Sequence, residues 1–124
     1  MNGKGFTLLE VLVAMGLLGM LLAGIVPVFF SMMAVNTRNE ERSGAVAAAQ
    51  QVLEELRRQD PALLPDSGTS GPQVIPVDDR AFEVTSWYCL APEYCDDNSR
   101  HVLIEVKYGG RTFFSAESVL TQLR

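Results

Sequence analysis

The feature that most constrains this chain is a 30-residue stretch, Phe6 to Val35, in which Glu10 is the only charged residue. Roughly 20 apolar residues are enough for a helix to cross a bilayer, so the stretch has length to spare. An ionised carboxylate in hydrocarbon costs about 2.5–3.5 kcal/mol on insertion scales. A segment that only anchored the chain would carry Leu at that position, so Glu10 calls for a partner. A removed secretory signal fits poorly, because its apolar part is usually about 7–15 residues long and no good small-x-small cleavage site lies near Ala34. A plain signal-anchor explains the length but neither Glu10 nor a leader as short as one ending at Gly5. The flanks, Lys4 on one side and Arg38 and Arg42 on the other, are too evenly charged to set an orientation by the positive-inside count.

The residues around Glu10, "KGFTLLEVLVA", resemble the type IV prepilin signature. This is the class III signal of type IV pilins and type II secretion pseudopilins. Lys4 stands for the basic leader, Gly5 for the residue before the cut, Phe6 for the first mature residue and Glu10 for the fifth. The resemblance implies that prepilin peptidase removes residues 1–5 and N-methylates Phe6. It implies as partners the other pilin subunits of a filament, an inner-membrane assembly platform, and the membrane through helix 6–35. It also implies a bacterial inner-membrane location with the head in the periplasm, followed by entry into a pilus or pseudopilus.

The chemistry of the motif can be stated without the family. Gly5 has no side chain and lets an extended backbone enter a tight protease site. A cut there exposes an α-amine on Phe6, charged near neutrality because such amines titrate at about 7.7–8.0. Glu10 of a neighbouring subunit can then pair with that amine. Misregistered subunits would bury both charges unpaired, so Glu10 is expected to act as an assembly register, the alternative being a snorkelling or protonated Glu near the interface. Gly16, Gly19, Gly24 and Pro27 interrupt the apolar helix, and Pro27 predicts a kink because its ring clashes with the carbonyl of Ala23. Gly and Pro are also simply frequent in membrane helices.

Beyond Val35, Ala45, Ala48, Ala49, Val52, Leu53 and Leu56 recur at three- and four-residue steps. They predict an amphipathic helix over 36–60, either continuous with the first helix or broken near Asn36, with Gly44 a candidate flexible point. Pro61 ends it by pushing Asp60 out of helical geometry. "PALLPDSGTSGPQ" reads as loop, and "VIPV" at 74–77 as at most an edge strand because of Pro76. Strands are predicted over 81–90, 101–108 and 111–118, the last two joined by a Gly109-Gly110 hairpin. The expected fold is α+β: a long N-terminal helix, its first half transmembrane and its second half packed on a small antiparallel sheet of three or four strands, residues 61–124 forming the head.

Cys89 and Cys95 are the only cysteines. In an exported head, such a close pair suggests a disulfide closing a loop, with free thiols as an alternative and a metal site disfavoured by spacing. No metal or cofactor is expected. With one His, no phosphate loop and no nucleophile motif, nothing points to an enzyme. The acidic pairs Asp78-Asp79 and Asp96-Asp97 read as solvated turns. Trp87, Tyr88, Tyr94, Phe113 and Phe114 are divided between the core and a possible adhesive patch. A formal net charge of −5 argues against direct nucleic-acid binding. The reading is a structural filament subunit, in motif form most similar to minor pilins and to the I-type minor pseudopilin. Biogenesis, motility, adhesion and DNA uptake are open as roles, and a monomeric anchored binding domain is the alternative from another class.

Overall fold

The computed structural model describes residues 5–122; Lys4 and the remainder of 1–4 lie outside the described residues, as do 123–124. The chain forms two compact units, Met1–Arg38 and Asn39–Arg124.

In the first unit, residues 5–7 have no regular structure and a single helix, α1 (Leu8–Arg58), begins after them. Pro27 lies inside this helix, and the helix is also unbroken at Asn36. A Cβ placed on Gly16, Gly19 or Gly24 would meet nothing. No close contact within the chain requires those glycines.

The second unit packs the end of α1 on a four-stranded antiparallel meander: β1 (Gly68–Val77), β2 (Arg80–Tyr88), β3 (Ser99–Tyr108) and β4 (Arg111–Thr121), in that spatial order. Two tight hairpins set the register. Gly109 and Gly110 both have positive φ (56° and 78°) and join Tyr108 to its partner Arg111. Asp78 and Asp79 do the same (46° and 61°) between Val77 and Arg80. Positive φ at both central residues matches the right-handed twist of the strands, and Asp tolerates it better than most side chains.

Strand alternation then decides which side chains reach the core. Phe82, Val84 and Tyr88 of β2 and Val102, Ile104 and Val106 of β3 are buried with Ala45, Ala48, Ala49, Val52 and Leu56 of the helix. The small alanines let the helix backbone approach the sheet. Gly44 takes this furthest: a Cβ there would lie 2.6 Å from Cζ of Phe82, whose ring is wholly buried. The same ring packs on Tyr108 at 5.1 Å between centroids, and Tyr108 on Phe113 at 6.2 Å. Gly44 is therefore a contact point rather than a flexible one, and it is buried within α1.

Other boundaries also differ from the sequence expectation. The helix ends at Arg58 rather than Asp60, because Asp60 is extended (ψ 126°) and its carboxylate accepts from Ala62 N to cap a 3₁₀ turn, Pro61–Leu63. The segment read as loop up to Gln73 already belongs to β1 from Gly68, with a register shift between Ser70 and Gln73 where Pro72 interrupts regular pairing. β4 continues past Ser118 because Leu120 is buried opposite Arg100. β2 stops before Cys89, whose φ of 53° turns the chain. Arg100 is buried, yet Nε donates to the Pro61 carbonyl at 3.1 Å and a terminal nitrogen meets Asp66 at 2.9 Å. That pairing holds the segment after the helix against β3.

Replacing Gly44 with Ala tests the close approach. Helix propensity alone would favour the change by about 1 kcal/mol. Overpacking against Phe82 is expected to cost about 1–3 kcal/mol. Thermal unfolding of the detergent-solubilised full chain should therefore show a lower midpoint for Gly44→Ala, and the double variant Gly44→Ala/Phe82→Leu should recover part of the loss.

Candidate assembly site

The N-terminal site is built by the start of α1. Thr7 precedes the helix, and its hydroxyl oxygen accepts from Glu10 N at 3.3 Å, while its carbonyl accepts from Glu10 N at 3.0 Å and Val11 N at 3.3 Å. Thr7-Leu8-Leu9-Glu10 has the spacing of a capping box, in which a Thr side chain satisfies an N–H that the first turn would leave unpaired. A carboxylate in that turn also complements the positive end of the helix dipole. Glu10 thus has a reason to sit near the helix start even within one molecule. The sequence reading missed Thr7, although T-x-x-E was its visible signal.

Gly5 and Phe6 lie just before the cap, outside regular structure, and Phe6 is 82% exposed. An exposed, non-helical dipeptide suits entry into a protease cleft. From Phe6 to Val35 large apolar side chains are exposed all round the helix, and the most apolar window has a mean hydropathy of 2.5 with none of it buried. A helix apolar on every side requires lipid or other helices around it.

Residues 1–26 match the family described as the prokaryotic N-terminal methylation motif. The matched segment is similar to the class III signal of type IV pilins. No curated protein and no solved structure matches the chain. The signal supports a type IV pilin-like or pseudopilin protein and points to a structural subunit. With one long N-terminal helix and a four-stranded antiparallel sheet, the architecture is α+β and pilin-like. The apolar helix and the signal together fit membrane insertion followed by assembly into a filament with other pilins, after processing by a prepilin peptidase.

The head of this signal-bearing chain has a second distinctive feature, the loop closed by a disulfide between Cys89 and Cys95. Within it a 3₁₀ turn, Pro92–Tyr94, leaves Leu90 and Tyr94 more than half exposed. Cys89 N donates to the His101 carbonyl at 2.9 Å, and His101 N points at Cys95 Sγ at 3.3 Å, so the loop is pinned to β3. His101 lies on the face of the sheet away from Val102 and Ile104, buried, with Nε2 3.8 Å from Glu117 and Nδ1 unpartnered. Of the five aromatics outside the apolar helix singled out in the sequence, Tyr88 is in the core, and Phe113 and Phe114 pack against it. Among the described residues no three His, Cys, Asp or Glu come together as metal ligands.

The Asp96-Asp97 pair is a turn, as the sequence suggested. Asp96 Oδ1 accepts from both Asn98 N and Ser99 N at 2.8 Å. The Asn98 backbone bond first, and then Ser99, hold the Asp96 carboxyl below its ordinary range. Bonds to the charged form stabilise the folded state above the unfolded value of about 3.9 and are lost as pH falls through the lower folded value. In an acid titration followed by NMR, the Asn98 and Ser99 amide signals should therefore move with a midpoint below about 3.9. A midpoint at or above that value would contradict the arrangement.

Proposed function

We propose that the protein is a minor subunit of a type IV pilus or a closely related filament, stored in the inner membrane with its head in the periplasm and polymerised through its N-terminal helix. Residues 1–5 are the leader, 6–35 the membrane and filament-core segment, 36–60 the amphipathic helix and 61–124 the displayed head. The observation that carries this reading is one carboxylate, Glu10, in a stretch to Val35 that is otherwise uncharged and exposed on all sides, close after the Gly5-Phe6 dipeptide of the methylation motif. Cleavage after Gly5 gives Phe6 an α-amine, and Glu10 of a neighbour supplies its counter-charge in the filament core. Leaving one of two such buried charges unpaired costs about 3–5 kcal/mol, enough to select a single axial offset. Pro27 gives the core helix a place to bend as it leaves the bilayer. Roles in pilus biogenesis, motility, adhesion or DNA uptake follow from where the head is displayed. The net charge of −5 gives no support to direct nucleic-acid binding.

A second reading, the I-type minor pseudopilin of a type II secretion system, is favoured by the form of the motif, "FTLLEVLVA", and by a head without a long insert. Imaging of filaments with a labelled head distinguishes surface pili from short periplasmic pseudopili.

Mass spectrometry of the protein purified from its own cells should find N-methylated Phe6 at the amino terminus; an intact Met1 would favour a monomeric anchored domain instead. Glu10→Ala should leave cleavage after Gly5 largely intact yet reduce recovery of the subunit in sheared filaments by about an order of magnitude or more. Equal recovery would remove the register role.

A further inference from the structure

The two edges of the sheet are built differently. β1 carries Pro72 and Pro76, and its pairing is interrupted between Ser70 and Gln73. A proline supplies no N–H and a bulge twists an edge away, and both discourage a further strand. β4, "RTFFSAESVLT", contains neither proline nor glycine. Its register with β3 shifts once, near Lys107, and then runs uninterrupted from Phe114 to Thr121. β4 is the last strand in the order, so along this run alternate residues present N–H and C=O groups sideways with no strand among the described residues to receive them.

A groove accompanies that edge within the second unit. Val46 and Leu53 of the helix line one cavity of about 380 Å³ together with Phe114 and Ala116. Arg57 and Arg58 line the next, about 550 Å³, together with Val119 and Leu120. Arg57 borders both. Beside the beginning of the regular segment of β4 the lining is mainly apolar but includes Glu54 with Arg57, and beside the end of β4 Arg57 and Arg58 outnumber Asp60 and leave a net positive charge. Arg58 reaches Glu55 only at 3.8 Å, and Arg57 makes no ion pair among the described residues.

We propose that β4 is an acceptor edge for an extended segment of a different subunit. The segment adds antiparallel, with apolar side chains at alternate positions and an acidic residue at its start. Antiparallel addition continues the pattern of the sheet and brings the start of the incoming strand to the end of β4, beside Arg57 and Arg58. Backbone hydrogen bonds supply the affinity, while the apolar groove and the two guanidinium groups select the sequence. The charges also argue against a second copy. Antiparallel pairing of β4 with β4 would bring Arg111, at the strand start, toward Arg57 and Arg58, and the β1 edge of another copy is blunted by its prolines. The acceptor edge lies in the head alone; that its occupant is another subunit rests on the proposed filament function, in a pilus or a pseudopilus alike.

The test uses the full chain in detergent micelles and a synthetic probe, acetyl-Glu-Thr-Val-Thr-Val-Thr-Val-amide, with amide hydrogen exchange as the readout. The expected result is slowed exchange between Phe114 and Thr121 on adding the peptide. The double variant Arg57→Glu/Arg58→Glu should weaken the effect about tenfold, since both side chains are exposed and each loses an attraction and gains a repulsion. A peptide with Lys in place of its Glu should bind the unaltered chain correspondingly less, a control that does not depend on the variant folding. Three outcomes overturn the proposal: no slowing in β4, slowing indifferent to both charge reversals, or slowing that develops with protein concentration when no peptide is present.

Discussion

Nineteen large apolar side chains between Leu8 and Val35 are exposed on one helix, and any surrounding the protein occupies must answer to that fact. At about 25 cal/mol per Å² of apolar surface, water is an untenable surrounding for such a helix. Lipid satisfies it, and so does a bundle of identical helices. Transfer from one to the other exchanges like for like, so the hydrophobic effect supplies little direction to assembly. Direction must come from something the bilayer does not offer, and Glu10 with a neighbour's amine is suited to that purpose.

Glu10 also serves its own helix. The Thr7 cap fixes where α1 begins, and a carboxylate in the first turn favours the same end of the helix. The local role and the proposed intermolecular one therefore point to the same residue type at the same place. The cap keeps Gly5 and Phe6 outside the helix, as a cut between them requires of the substrate backbone.

The head solves a separate problem, that of a small core. Its helix contributes mainly alanines and one glycine, and its sheet contributes the bulk in Phe82, Ile104 and Tyr88. Volume missing on one side is supplied on the other, which is why Gly44 and Phe82 belong to a single packing unit. Where apolar volume runs short, polar and covalent links take over: Arg100 to Pro61 and Asp66, the Asp96 turn, and the Cys89–Cys95 disulfide. The surface pair Arg80–Glu40 at 3.1 Å adds a link between the β1–β2 turn and the helix, although an exposed pair of this kind contributes little.

Much of this was legible in the residues alone. The motif at Gly5, Phe6 and Glu10, the apolar length to Val35, the alanine stripe and the Gly109-Gly110 hairpin are all local signals, carried by neighbours in sequence or by a fixed period. β1 was legible only in its last four residues, because Pro72 and the glycines at 68 and 71 deny it a strand pattern. It is a strand because β2 offers it a pairing edge. Gly44 read as flexibility because the ring that demands it lies 38 positions away, and nothing in the sequence singles out Arg100, because Pro61 and Asp66 become its partners only on folding. The sequence by itself determined that the chain has a segment long and apolar enough to cross a membrane, where it is expected to be cut, and that its remainder pairs a helix with antiparallel strands. Tertiary structure alone decided which strand edge stays open and which residues seal the core, since those depend on contacts between segments with no shared period.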